Sequence, residues 1–103
     1  MTKETETQDC IALEELKKNL TAGNRIQIID VRSPEEFAEK HIPEAVNIPL
    51  DELERAFSGL DKQLFFITAC GKGGGRSAKG AEILLQRGFR TAWLCGGTFG
   101  WFD

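Results

Sequence analysis

A cysteine followed by a run of glycines is the part of this sequence best suited to chemistry. Cys70 comes directly after an apolar segment, and five residues, four of them glycine, separate it from Arg76. Glycine tolerates positive φ, so successive backbone N–H groups can converge in such a loop. These amides, with the N-terminus of a helix behind them, would stabilise an anion. The sequence therefore predicts that Cys70 is a nucleophile in an anion-binding loop.

The segment from residue 70 to residue 77 is called the Cys70 loop below. Its cationic side chains, Lys72 and Arg76, are expected to favour the thiolate and to attract an anionic substrate. Lys72 is expected to lie at the solvent-exposed tip. The predicted anion-binding residues are Gly71, Lys72, Gly73, Gly74, Gly75, Arg76 and Ser77.

Strand-like and helix-like segments alternate along the chain, which predicts an α/β fold with a mainly parallel sheet covered on both faces. The clearest helix start is Ser33-Pro34-Glu35-Glu36, which has the pattern of a capping box with proline at the first helical position. Cys10 and Ile11 could add a short edge strand. Strands are predicted at 25–31, 45–48, 63–68 and 91–94, and helices at 12–20, at about 34–40, from residue 49, and at about 76–86.

Three predicted strands end in polar or reactive residues. Asp30 and Arg32 lie at the end of one strand, Cys70 follows a second, and Cys95 follows the last. In an open α/β sheet, ligands bind beyond the carboxyl ends of the strands. If the strands are parallel, these residues converge at one edge of the sheet.

The chain length of 103 residues suits one domain, expected at 10–103 after a flexible, polar N-terminus at 1–9. The formal net charge of −3 argues against a nucleic-acid surface. No apolar run reaches the length of a membrane span, and the N-terminus does not resemble a signal peptide. The three cysteines are too few and too irregular for a disulfide framework or a zinc site. A cytoplasmic protein with reduced thiols, without metal or other cofactor, is therefore expected.

Four separated blocks of the sequence resemble a known family. They are Ile28-Ile29-Asp30-Val31-Arg32-Ser33-Pro34-Glu35-Glu36-Phe37, His41-Ile42-Pro43-Glu44-Ala45-Val46-Asn47-Ile48-Pro49, the strand–Cys70 loop–helix segment, and Cys95-Gly96-Gly97-Thr98-Phe99-Gly100-Trp101. Their order and spacing are similar to those of a single-domain rhodanese, from about residue 11 to residue 101.

The resemblance implies a rhodanese-like three-layer sandwich with a central five-stranded sheet flanked by helices. It also implies sulfurtransferase chemistry, in which Cys70 carries a sulfane sulfur as a persulfide and the loop amides hold that sulfur. Asp30 and Arg32 would brace the loop from the neighbouring strand. The expected partners are an anionic sulfur donor such as thiosulfate, and an acceptor that is cyanide, a thiol or a sulfur-acceptor protein. A monomer is expected.

The Cys70 loop also has a feature of another chemistry. Cys-x5-Arg-Ser is the signature of protein phosphatases, and it is one residue longer than the loop of common sulfurtransferases in this family. A rhodanese-fold phosphatase or arsenate reductase therefore stays open, as does a non-catalytic sensing or binding module. Against a phosphatase, Ala69 stands where histidine is usual, and the loop supplies no acid to protonate a leaving group.

Two further residues have alternative interpretations. Cys95 is either a small, half-buried thiol at a turn or a second thiol close enough to Cys70 to accept sulfur or form a disulfide with it. His41, the only histidine, is expected to fix a backbone turn and to take no part in catalysis. Cys10 is expected to have no role.

Overall fold

The computed structural model describes residues 10–102, apart from the side chain of Phe57. The strands are β1 (Cys10–Ile11), β2 (Ile26–Asp30), β3 (Val46–Asn47), β4 (Phe65–Ala69) and β5 (Arg90–Leu94), and the helices are α1 (Leu13–Thr21), α2 (Pro34–Glu39), α3 (Leu50–Ala56), α4 (Gly75–Gln86) and α5 (Gly97–Trp101). The segment 1–9, expected to be flexible, and residue 103 lie outside the described residues.

All five strands form one parallel sheet in the order β1-β5-β4-β2-β3. The central strands β2 and β4 pair over their full length, from Ile26 opposite Phe65 to Asp30 opposite Ala69. Since the strands are parallel, their carboxyl ends lie at the same edge of the sheet. The predicted α/β fold and the convergence of the three strand ends are therefore confirmed.

Apolar side chains cover both faces of the sheet. Because neighbouring strand residues point to opposite faces, Ile29 and Phe66 contribute to one cluster while Ile28 and Ile67 contribute to the other. The first cluster contains Ile29, Val31, Leu53, Phe66, Cys70, Ile83, Leu84 and Phe89, and the second contains Leu16, Ile28, Ile42, Ala45, Ile67, Ala69 and Leu94. The Cys70 side chain therefore lies on the face of the sheet that packs against α3 and α4.

Helix α2 begins as its sequence predicts. The Ser33 hydroxyl accepts a hydrogen bond from the Glu36 amide at 3.2 Å, and the Ser33 amide donates to Glu36 Oε1 at 3.0 Å. Both halves of the capping box are present, with Pro34 at the first helical position. The Glu36 carboxylate is thereby fixed at the start of α2, close to the Cys70 loop.

Helix α5 is the element that the sequence did not predict. It follows Gly96 and Gly97, whose φ values are +78° and +63°, and it ends at Trp101. From the sequence, no helix is expected after the strand predicted at 91–94. In the described part of the chain, no helix is long and apolar enough to cross a bilayer.

Candidate active site

Cys70 lies at the bottom of its loop, directly after β4. Its residue surface is 5% exposed, and within residues 10–102 it is the free cysteine. The thiol lies 3.3 Å from two acceptors, the carbonyl oxygen of Gly74 and the hydroxyl of Ser77. The sulfur is therefore oriented by groups of its own loop and shielded from bulk water.

Three successive glycines give the Cys70 loop its shape. Gly73, Gly74 and Gly75 have φ values of +91°, +72° and +41°. Residues with a Cβ rarely adopt such conformations, so this path depends on glycine. Among the described residues, the amides at 71–74 donate to no other protein group. They are the donors that the loop has left for a ligand.

The Gly74 carbonyl is a feature of the loop that the sequence analysis missed. It accepts hydrogen bonds from the Ser77 amide at 2.9 Å and from the Ser77 hydroxyl at 2.8 Å, as well as from the Cys70 thiol. From the sequence, backbone amides are expected to line the loop, and an inward carbonyl is not expected. One inward carbonyl is present because α4 starts at this point and Gly74 accepts its first hydrogen bonds.

Ser77 is the most constrained polar side chain of the site. The residue is fully buried, and its carbonyl accepts a hydrogen bond from Thr68 Oγ1 at 2.7 Å. Thr68 is also fully buried, on β4 two residues before Cys70. The strand and the first turn of α4 are thereby joined, which places the Ser77 hydroxyl beside the sulfur.

The first turn of α5 holds the backbone of the Cys70 loop from the other side. The Thr98 amide donates to the Cys70 carbonyl at 2.7 Å, and the Phe99 amide donates to the Gly71 carbonyl at 2.9 Å. A Cβ on Gly97 would lie 2.6 Å from both the Gly71 oxygen and the Gly73 nitrogen. The half-exposed Phe99 ring covers Gly71 at the rim. The sequence signal for this contact was the Gly96-Gly97 pair.

Arg76 lies at the start of α4, but its guanidinium binds a neighbouring helix. Nη1 and Nη2 lie 2.9 and 3.2 Å from the two carboxylate oxygens of Glu36. The hydrogen bond from Arg76, followed by that from the Ser33 amide, lowers the pKa of Glu36 to about 2. The pKa of Arg76 is raised, chiefly by the same contact. Lys72 is exposed, as expected for the tip of the loop.

Asp30 and Arg32 form a buried ion pair at the end of β2. The guanidinium donates to both carboxylate oxygens at 2.8 to 3.1 Å and to the Lys40 carbonyl at 2.6 Å. This contact with Asp30 is the main reason that the pKa of Arg32 is raised. The described hydrogen bonds of both side chains go to β2 and the end of α2, and none goes to residues 70–77. The pair therefore fixes the end of β2 directly. It can support the Cys70 loop only indirectly, through the pairing of β2 with β4.

Cys95 differs from the prediction. It forms a disulfide with Cys10, with the two Cα atoms 5.2 Å apart, so it is not a free second thiol. The expectations of reduced thiols and of no role for Cys10 are wrong for this pair. The reason is the pairing of β1 with β5, which places Cys10 opposite Trp93 and brings Cys95 N within 3.0 Å of the Ile11 carbonyl.

His41 lies away from this chemistry, on the exposed surface after α2. Its Nδ1 lies 2.8 Å from the Phe37 carbonyl, and its ring stacks on the Phe37 ring with centroids 3.8 Å apart. The histidine thus fixes the turn that follows α2. Among residues 10–102, no group of three or more His, Cys, Asp or Glu side chains could hold a metal ion.

The family is shown by comparison with known sequences. The sequence model of the Rhodanese-like domain matches residues 12–103. The chain belongs to the rhodanese-like domain family. The resemblance drawn from the four sequence blocks is therefore confirmed, and so is the rhodanese-like sandwich, because solved structures of this family share the fold.

Individual relatives agree with this assignment. YtwF of Bacillus subtilis, which is named as a sulfurtransferase, is 34% identical over 91 residues, which cover 88% of this chain and 87% of that protein. The human thiosulfate:glutathione sulfurtransferase is 36% identical over 97 residues, covering 79% and 84% of the two chains. A crystal structure of a rhodanese-like domain protein from Staphylococcus aureus has a TM-score of 0.82 and 36% identity, covering 92% of each chain. The chain is thus a rhodanese domain whose relatives include proteins named as sulfurtransferases.

Proposed function

We propose that this protein transfers sulfane sulfur from an anionic donor such as thiosulfate to a thiophilic acceptor through a persulfide on Cys70. The observation that carries the proposal is a buried, free thiol beneath a glycine loop whose amides at 71–74 have no protein acceptor among the described residues. A persulfide is an anion that is easily oxidised. Backbone donors would stabilise its charge, and burial would shield it from oxidants, without a second thiol or an amine beside it.

The first half-reaction forms the persulfide. The Cys70 thiol loses its proton to solvent, and the resulting thiolate attacks the outer sulfur of thiosulfate. A sulfur–sulfur bond forms to Cys70 while the donor's sulfur–sulfur bond breaks, and sulfite leaves with the electron pair. The Ser77 hydroxyl, which donates to the Gly74 carbonyl when the thiol is protonated, can turn to donate to the thiolate 3.3 Å away.

The second half-reaction returns the enzyme to its starting state. Cyanide or an acceptor thiolate attacks the outer sulfur of the persulfide, and the Cys70 thiolate leaves. Phe99 and Lys72, both exposed, form part of the rim that an acceptor would meet. We propose a small thiol, cyanide or a sulfur-acceptor protein as the acceptor. A cytoplasmic location and a monomeric state stay predictions.

The position of Arg76 favours sulfur over phosphate. A phosphatase that uses the Cys-x5-Arg signature needs the guanidinium to bind the oxygens of the transferred group. Here both terminal nitrogens bind Glu36. A loop of the phosphatase length is therefore present without the phosphatase arrangement of its arginine. The additional residue of the loop is accommodated by the left-handed backbone of Gly73, Gly74 and Gly75.

The experiment is intact-mass analysis of the purified protein after thiosulfate treatment. We expect a mass gain of one sulfur atom, located by peptide mapping to the peptide that contains Cys70 and removed by cyanide. Cys70→Ser should show no gain and no thiocyanate production. A gain retained in Cys70→Ser contradicts the proposal. No gain in the wild type, combined with hydrolysis of p-nitrophenyl phosphate, supports the phosphatase alternative, and the absence of both supports a binding module.

A further inference from the structure

Arg76 is next to the Cys70 loop, but its charge is already matched by an acid. Both of its terminal nitrogens bind the Glu36 carboxylate, and the two side chains are 46% and 40% exposed. Electrostatic attraction to Cys70 also contributes to the raised pKa of Arg76, after the larger contribution of Glu36. Arg76 is thus part of the Cys70 loop, while its guanidinium is bound to Glu36 at the start of α2.

Glu36 is held in place by contacts that do not depend on Arg76. Its Oε1 accepts hydrogen bonds from the Ser33 amide at 3.0 Å and from the Ser33 hydroxyl at 3.1 Å. These are contacts of the capping box that starts α2. The carboxylate therefore occupies a fixed position beside α4, and an arginine at residue 76 finds its acceptor already in place.

Two further carboxylates lie near Arg76 in a surface groove. Arg76 lines one wall of this groove, which has a volume of about 490 Å³, lies between the first turns of α2 and α3, and is also lined by Asp51 and Glu52. A dianion that approaches Arg76 along this groove therefore passes two carboxylates, Asp51 and Glu52. The remaining arginine near this edge, Arg32, is buried and paired with Asp30.

We propose that Glu36 is a specificity-determining residue that withholds Arg76 from tetrahedral oxyanions at the Cys70 loop. A donor with an oxyanion end, such as thiosulfate, must displace Glu36 before it can use Arg76. A donor without one, such as inorganic polysulfide, needs only the loop. This inference deepens the proposed function and rests on it for the choice of donor, but oxyanion binding is measurable without any sulfur transfer.

Sulfate is the probe for the binding step, because it has the shape and charge of the donor and carries no sulfane sulfur. We expect Glu36→Gln to lower the Kd for sulfate about fivefold, the upper end of what an exposed ion pair is worth. Glutamine can keep the capping box, so helix α2 should still form. Calorimetric or NMR titration measures the change.

Two control variants distinguish a specific release of Arg76 from a general effect of removing a negative charge. Glu35→Gln removes the same charge one residue away and should leave the sulfate Kd at the wild-type value. Arg76→Gln should cost little affinity in the wild type, but should abolish the gain in the Glu36→Gln background. An equal gain in Glu35→Gln, or a gain in Glu36→Gln that survives Arg76→Gln, would overturn the inference.

Steady-state kinetics extend the test to the donor. In Glu36→Gln the KM for thiosulfate should fall about fivefold, while the KM for polysulfide should keep its wild-type value. Parallel changes for both donors would indicate a merely structural role for Glu36. If the wild type takes up no sulfur, the proposed function fails, and the sulfate titration still decides whether Glu36 withholds Arg76.

Discussion

The molecule has two cysteine sites at the same edge of its sheet, and they differ in solvent exposure and in how the sulfur is bonded. Cys70 is a buried, free thiol in a loop, held by two hydrogen-bond contacts of 3.3 Å. Cys10 is exposed and Cys95 half-buried, and they are bonded to each other across β1 and β5. One site is defined by the backbone of a single loop, and the other by the pairing of the first and last strands.

This difference separates two uses of sulfur. At Cys70 the sulfur forms no covalent bond to another cysteine, and the side chain that contacts it is that of Ser77. Cys10 and Cys95 are bonded to each other in a disulfide, which ties the edge strand β1 to the end of β5. The two sites nevertheless meet at Gly97, two residues after Cys95, which packs against the backbone of the Cys70 loop.

Removing the disulfide should have the largest effect on stability. The link spans 85 residues, so the chain-entropy relation gives about 4.5 kcal/mol for its loss, within the usual range of roughly 2–5 kcal/mol. We expect the double variant Cys10→Ser, Cys95→Ser to lose about 4 kcal/mol in the free energy of unfolding by urea. Sulfur loading of Cys70, measured where the variant is folded, should stay close to that of the wild type.

A reductant supplies the matched control for this prediction. Dithiothreitol should lower the stability of the wild type to that of the double variant and should not change the variant further. A fall in sulfur loading parallel to the loss of stability would contradict the separation of the two sites. It would show that the edge strand and the Cys70 loop act as one unit.

Substitution at Gly97 tests the point where the two sites meet. In Gly97→Ala the new Cβ would lie 2.6 Å from the Gly71 oxygen and the Gly73 nitrogen, at a φ of +63°. Backbone atoms cannot give way as a flexible side chain can, so we expect a loss of about 3 kcal/mol in the free energy of unfolding. The displaced loop should load sulfur up to about 100-fold more slowly.

Gly100→Ala is the control for Gly97→Ala, since a Cβ at Gly100 meets nothing within 4 Å. It lies in the same short helix and should be close to neutral in both assays. Unfolding by urea and the time course of sulfur uptake provide the two measurements. Equal effects at both glycines would assign the loss to α5 as a whole and not to its contact with the Cys70 loop.

The fold could be predicted from sequence because its signals are local. The capping box at Ser33 and the apolar strand before Cys70 each depend on a few neighbouring residues, and both are seen in the structure. Alternation of strands and helices then favours a parallel sheet and a common edge for the strand ends. Small shifts at the element ends, such as α4 starting at Gly75 and not at Arg76, change nothing in the site.

The parts that could not be predicted depend on distance in space. Cys10 and Cys95 are 85 residues apart, and only the register of β1 on β5 brings them together. The partner of Arg76 is likewise on another helix, 40 residues away in sequence. The inward turn of the Gly74 carbonyl depends on backbone angles that three glycines leave open. Sequence spacing alone identifies none of these three features.

Acid should break the Glu36–Arg76 ion pair beside the Cys70 loop, as a reductant breaks the disulfide. The loss in the free energy of unfolding should be smaller than that caused by the reductant. Since Arg76 lowers the pKa of Glu36 to about 2, from an ordinary 4.5, the ion pair stabilises the folded state above about pH 4.5. That contribution is lost as the pH falls from about 4.5 through about 2. Because both side chains are 40% or more exposed, we expect at most about 1 kcal/mol.

The measurement is the difference in the free energy of unfolding between the wild type and Glu36→Gln, followed by urea titration from pH 7 to pH 2. The variant should be less stable by about 1 kcal/mol at pH 7, and most of this difference should be lost as the pH falls to about 2, where Glu36 becomes protonated and resembles glutamine. In an Arg76→Gln background the difference at pH 7 should be smaller. A difference that stays constant down to pH 2 would mean that Glu36 acts through the capping box alone. In that case the ion pair between Glu36 and Arg76 would contribute nothing measurable to the free energy of unfolding.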